Sequence, residues 1–168
     1  MQQLNISFRL LLICCLASLG SCAQNPAKEV SLQPEIFVGS TPCDSLIRSQ
    51  LGIKANITCE FIKWQLTMYS PKEGSFELLV TYGQSKPNTN GFINDGLRIE
   101  KKGKYSIAPG LNENPKTAFL TLQAEGFYSP LFLIVMDQNI LHFADSNHHY
   151  LTGNGGWGYV LNRMANTK

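Results

Sequence analysis

Past residue 60 the chain alternates, and this period of two constrains its fold more than any other feature. Ile62, Trp64, Leu66 and Met68 point one way while Lys63, Gln65 and Thr67 point the other, the signature of a half-buried strand. Phe76, Leu78, Val80 and Tyr82 repeat the pattern against Glu77, Leu79 and Thr81, with Pro71-Lys72-Glu73-Gly74 as the turn between. After a polar loop at Gln84 to Asn90, strands are expected at Leu97 to Lys101, Gly103 to Ile107 and Thr117 to Ala124. Leu131 to Met136 is apolar on both faces, Asp137-Gln138-Asn139 reads as a hairpin turn and Ile140 to Ala144 as the returning strand. Trp157 to Asn162 closes the series and Glu35 to Gly39 opens it. Eight or nine short strands joined by short connections give an all-β chain, and an antiparallel barrel of about eight strands is favoured over a sandwich because it hides its own edges.

A helix is expected once, near residues 42–51. Thr41 is placed as N-cap, Pro42 at the first helical position and Asp44 in a weak capping box. Cys43, Ile47 and Leu51 then share a face with Leu46, and Gly52 ends the helix. The 168 residues suit one ordinary domain, and 43% hydrophobic content is too high for disorder. Fourteen Lys and Arg against twelve Asp and Glu leave a net charge of +2, which excludes the dense basic patch that nucleic acid requires.

The N-terminus reads as an address. Arg9 is the only charged residue before Leu10 to Leu19, an apolar stretch too short to span a membrane and typical of a secretory signal. Leu19-Gly20-Ser21-Cys22 follows directly and resembles the lipobox of bacterial lipoproteins, in which the signal is cut before the cysteine and the cysteine is acylated. That resemblance implies a signal peptide over 1–21, lipidation at Cys22 and a firm anchor, since three acyl chains bury many methylenes where one would be marginal. Residues 22–34 read as a lipidated cysteine with a flexible, proline-containing tether, and 35–168 as a single barrel domain. Ala23 is not the Asp associated with inner-membrane retention, so the resemblance implies an outer-membrane lipoprotein facing the periplasm.

Of five cysteines, Cys14 and Cys15 leave with the signal and Cys22 is lipidated, which leaves Cys43 and Cys59 in an oxidising compartment. A structural disulfide is expected; a metal-binding or redox thiol pair is the competing reading. A redox pair usually shows Cys-x-x-Cys, and Leu46 stands three after Cys43.

Phe37-Val38-Gly39-Ser40-Thr41-Pro42-Cys43, then Ile47 and Leu51, Gly103-Lys104-Tyr105 and Leu141-His142-Phe143-Ala144-Asp145 together resemble the N-terminal barrel domain of the NlpE copper-resistance lipoproteins. The resemblance implies a lipocalin-like barrel on an outer-membrane anchor and a role in copper tolerance or in signalling surface or envelope stress. The family's Cys-x-x-Cys begins at Cys43 here, and its second cysteine is replaced by Leu46. The ending, Gly153-Asn154-Gly155-Gly156-Trp157-Gly158-Tyr159-Val160-Leu161-Asn162-Arg163, is similar to that of a group of small bacterial lipoproteins and implies no activity.

Chemistry beyond anchoring is sparse. Gly153-x-Gly155-x-x-Gly158 matches the letters of a dinucleotide fingerprint, but the chain lacks the following helix and the acidic residue about 20 positions on, so it reads as a turn. His142, His148 and His149 are the three histidines, and His148 with His149 is the candidate metal site. No Gly-x-Ser-x-Gly elbow is present, and neither an enzyme nor a cofactor is implied. Trp64, Phe76, Tyr82 and Phe119 are candidates to line a ligand cavity, with plain core as the alternative. Two functions follow: an interaction or sensing module that meets an envelope protein partner, or a carrier that holds a small apolar ligand. A filled interior favours the first, a hollow one the second.

Overall fold

In the computed structural model, which describes residues 33–110 and 117–165, the alternating segments close on one another. The eight strands are β1 (Glu35–Pro42), β2 (Phe61–Met68), β3 (Ser75–Gly83), β4 (Leu97–Pro109), β5 (Ala118–Ala124), β6 (Leu131–Asp137), β7 (Ile140–Ala144) and β8 (Val160–Arg163). Each pairs antiparallel with its neighbours in sequence, and β8 returns to β1 through Phe37 opposite Arg163 and Val38 opposite Asn162, so the sheet is a closed barrel. Closure removes the unpaired edges that an open sheet of this length would present. The expected signal, Cys22 and the expected tether as far as residue 32 lie outside the described residues.

Alternation fixes the core. Phe37, Ile62, Trp64, Leu66, Phe76, Leu78, Val80, Leu120, Leu122, Leu131, Leu133, Leu141, Phe143 and Leu161 all turn inward and form one buried cluster. Burial at roughly 25 cal/mol per Å² of apolar surface makes this cluster the principal stabilising element.

The helix α1 (Ser45–Leu51) is shorter than the sequence suggests, and it starts later. Strand pairing explains the difference. Thr41 lies opposite Ile62 and Pro42 opposite Phe61, and the Cys43 N–H donates to the Glu60 carbonyl, so the chain stays extended through the proline. Thr41, buried, accepts a hydrogen bond from the Trp64 indole N–H at 2.9 Å instead of capping. Asp44 is the N-cap, its carboxylate accepting from the Ile47 N–H at 2.9 Å, and Gly52 ends the helix in the left-handed region at φ 71°. Ile47, Leu51 and the following Ile53 are buried in the barrel core, whereas Leu46 is exposed, not on the shared face expected of it.

A second correction concerns β4, which runs unbroken for 13 residues where two strands were expected. Gly103 is not a break but the place where the strand changes partner: Leu97 to Lys104 pair with β3, and Gly103 to Pro109 pair with β5. A Cβ at Gly103 would collide with the Gln123 carbonyl and the Phe76 ring, so only glycine permits this approach. The last strand is also shorter than expected, because Trp157 belongs to the preceding loop.

Candidate functional site

Cys43 and Cys59 form a disulfide across 16 positions, with Cα atoms 5.7 Å apart. It closes the segment that carries α1, and Arg48 ties the same segment by donating to the Lys54 and Ile57 carbonyls. The Tyr159 hydroxyl donates to the Asp44 carboxylate, joining the helix start to the loop that leads into β8.

The aromatic residues assigned to a cavity divide between two faces. Trp64 and Phe76, 2% and 1% exposed, are core; Trp64 packs at 4.7 Å against the Phe143 ring. Tyr82 is half-buried at the edge of the same cluster. Phe119 does not belong with them. Its neighbours Leu120 and Leu122 take the inward positions of β5, so Phe119 stands on the outer face, against the His148 ring at 4.1 Å. Parity along β5, set by the register with Ile134 of β6, decides this.

That contact places one of the histidines. The loop after β7 folds back over the outer face of the barrel, with His148 on Phe119 and edge-on to Phe132 at 5.8 Å, and Tyr150 edge-on to His142 at 5.0 Å. Beneath them Ile134, an outward residue, is 2% exposed. Asp145 holds the loop: one carboxylate oxygen accepts the Asn147 and His149 N–H groups, and the other faces the His149 ring at 3.2 Å. These bonds hold the Asp145 carboxyl below the usual carboxylate range. The two adjacent histidines therefore have separate tasks, His148 covering apolar surface and His149 pairing with Asp145. Among the described residues no group of three or more His, Cys, Asp or Glu side chains converges as a metal site would require.

A feature that sequence reasoning missed lies at the rim. Phe61 points outward from β2, yet it is 3% exposed because Phe92 and Trp157 sandwich it. The Phe61 ring is 4.2 Å from Phe92 and 5.0 Å from Trp157, at interplanar angles of 13° and 2°. Two loops are pinned to the barrel wall by this stack, residues 84–96 through Phe92 and residues 153–158 through Trp157. Between them opens a hollow of about 480 Å³ bounded by Ser40, Phe61, Lys63, Ser85, Asn90 and Trp157. It adjoins a second hollow of about 380 Å³ on the outer faces of β1, β2 and β3, which shares Ser40 and Lys63. The signal was present in the sequence as an aromatic at an outward strand position and a tryptophan inside a glycine-rich loop, but neither residue declares its partner without the fold.

No family model, no curated protein and no solved structure matches this chain.

Proposed function

We propose that the protein is a lipid-anchored, non-catalytic envelope module that meets its partner through the outside of the barrel. In this reading the acylated Cys22 holds it on the outer membrane, facing the periplasm. The observation that carries it is the packed interior: the inward side chains form one buried cluster that includes Trp64, Phe76 and Phe143. A carrier of an apolar ligand needs that space open, so the filled barrel supports the module over the carrier. The lipobox at Cys22 supports the anchor, and the likeness to the NlpE lipoproteins supports an envelope protein partner in stress or copper homeostasis.

The reading has three tests. Cells fed labelled palmitate are expected to label the protein and to lose the label in Cys22→Ser; label that persists in the variant overturns the anchor. A photo-reactive amino acid placed at Asn90, beside the rim hollow, is expected to cross-link an envelope component in living cells. Native mass spectrometry of the protein recovered from its own envelope is expected to show no apolar adduct, and a stoichiometric one would restore the carrier.

A further inference from the structure

We infer that the rim hollow is a binding site for an acidic saccharide, with Trp157, backed by Phe61, as the stacking wall and Lys63 as the partner of the sugar carboxylate. The inference rests on the reading that the protein binds through its outer surface, and it names the chemistry bound there.

The wall comes first. Trp157 is half-buried, one face of its indole lying on Phe61 and the other left to offer a flat apolar surface, and a pyranose presents C–H groups on its faces and hydroxyls around its edge. The remaining boundary suits those edges: Ser40, Ser85 and Asn90 bring two hydroxyls and an amide, and none of these side chains has a hydrogen-bond partner among the described residues. An apolar planar ligand would leave them unpaired at a cost.

Charge narrows the class. Lys63 is the single ionisable side chain among the residues bounding the hollow, and no carboxylate lies within ion-pair distance of it among the described residues. Its ammonium sits 5.6 Å from the Phe92 ring centroid, a cation held by an aromatic face and free to accept an anion. Glu60, next to Phe61, is held beside the hollow but is not among its bounding residues, its carboxylate accepting the Ser85 N–H at 3.0 Å. A phosphate would call for a cradle of free backbone N–H groups. Here four of the loop amides are already used: Gly156 and Trp157 donate to the Asn154 side chain, Gly91 to Thr89 and Ser85 to Glu60. One lysine and no amide cradle fit one carboxylate.

Space supports a chain of sugars over a single ring. The hollow of about 480 Å³ runs into the one of about 380 Å³ at Ser40 and Lys63, which places the cation midway along a trough. Gly155 and Gly158 flank the wall, and a Cβ at either would meet nothing within 4 Å. Neither adopts the left-handed backbone, so the fold itself does not demand glycine there.

The test is calorimetric titration of the full acylated chain in detergent with trigalacturonate, with neutral maltotriose and with AMP. Trigalacturonate is expected to bind and maltotriose to bind about tenfold more weakly, the loss of one charge-assisted bond. Lys63→Gln is expected to bring the acidic trimer down to the neutral level, and Trp157→Ala to abolish both, with the Cys43–Cys59 disulfide and a cooperative thermal transition showing that each variant is folded. Equal affinity for the two trimers, binding unaffected by Lys63→Gln, no binding of either, or a preference for AMP overturns the inference. If the trimer fails to bind while the Asn90 cross-links form, the saccharide is wrong and the envelope module stands; if it binds without cross-links, the protein-partner reading falls instead.

Discussion

Asp145 shows how one side chain sets the position of several others. Its carboxylate gathers the Asn147 and His149 N–H groups and faces the His149 ring, which turns the chain so that His148, at φ 64°, lays its ring on Phe119. The carboxyl is held below its ordinary value chiefly by the His149 N–H, so the stability it contributes is present above the usual carboxylate range of about pH 4. That contribution is lost as pH falls through the lowered value. In an NMR pH titration the His149 amide is expected to shift with a midpoint below the ordinary aspartate value; a midpoint at or above it refutes the assignment. Asp145→Ala is expected to lift His148 from Phe119, seen as loss of ring-current shifts in both residues, with little change in global stability because the loop lies outside the barrel core. Phe119 illustrates what the residue scale hides: an aromatic in an alternating segment reads as core until the register says which face it occupies.

At the scale of elements, the helix and the longest strand each depend on one small feature. Asp44 caps α1 and also accepts the Tyr159 hydroxyl, so it ties the helix to the end of the chain. Asp44→Ala is expected to cost about 1 to 2 kcal/mol in urea unfolding, at the upper end for a lost cap. Asp44→Asn, which keeps the capping oxygen, is expected to recover most of that; equal losses would show that the charge, not the cap, is what matters. Gly103 lets β4 pass from β3 to β5 at a point where a side chain has no room. Gly103→Val is expected to destabilise by about 1 to 3 kcal/mol, the range for overpacking, although valine is the better strand former. A neutral result would mean that the two strands can separate there without consequence.

Across the whole molecule, the disulfide and the packed barrel define what the chain can do. Cys59→Ala is expected to lower stability by about 2 to 5 kcal/mol, checked by denaturation against the oxidised parent. With Cys43 tied to Cys59 and Leu46 where a second motif cysteine would stand, the oxidised protein is expected to show no tight one-to-one Cu(I) binding in competition with a chelator. Such binding, lost in Cys43→Ser, would show that the thiols serve a metal. The sequence by itself determined the period of two, and with it the inward set of Ile62, Trp64, Leu66, Phe76, Leu78 and Val80, because alternation is a local property of extended backbone. It also held the pairing of Cys43 with Cys59 as the favoured of two readings. Tertiary structure alone decided the face of Phe119, the unbroken course of β4 and the late start of α1, since each depends on register with a strand remote in sequence. The Phe92, Phe61 and Trp157 stack belongs with these: its rings come from residues up to 96 positions apart, and only closure of the barrel brings them together.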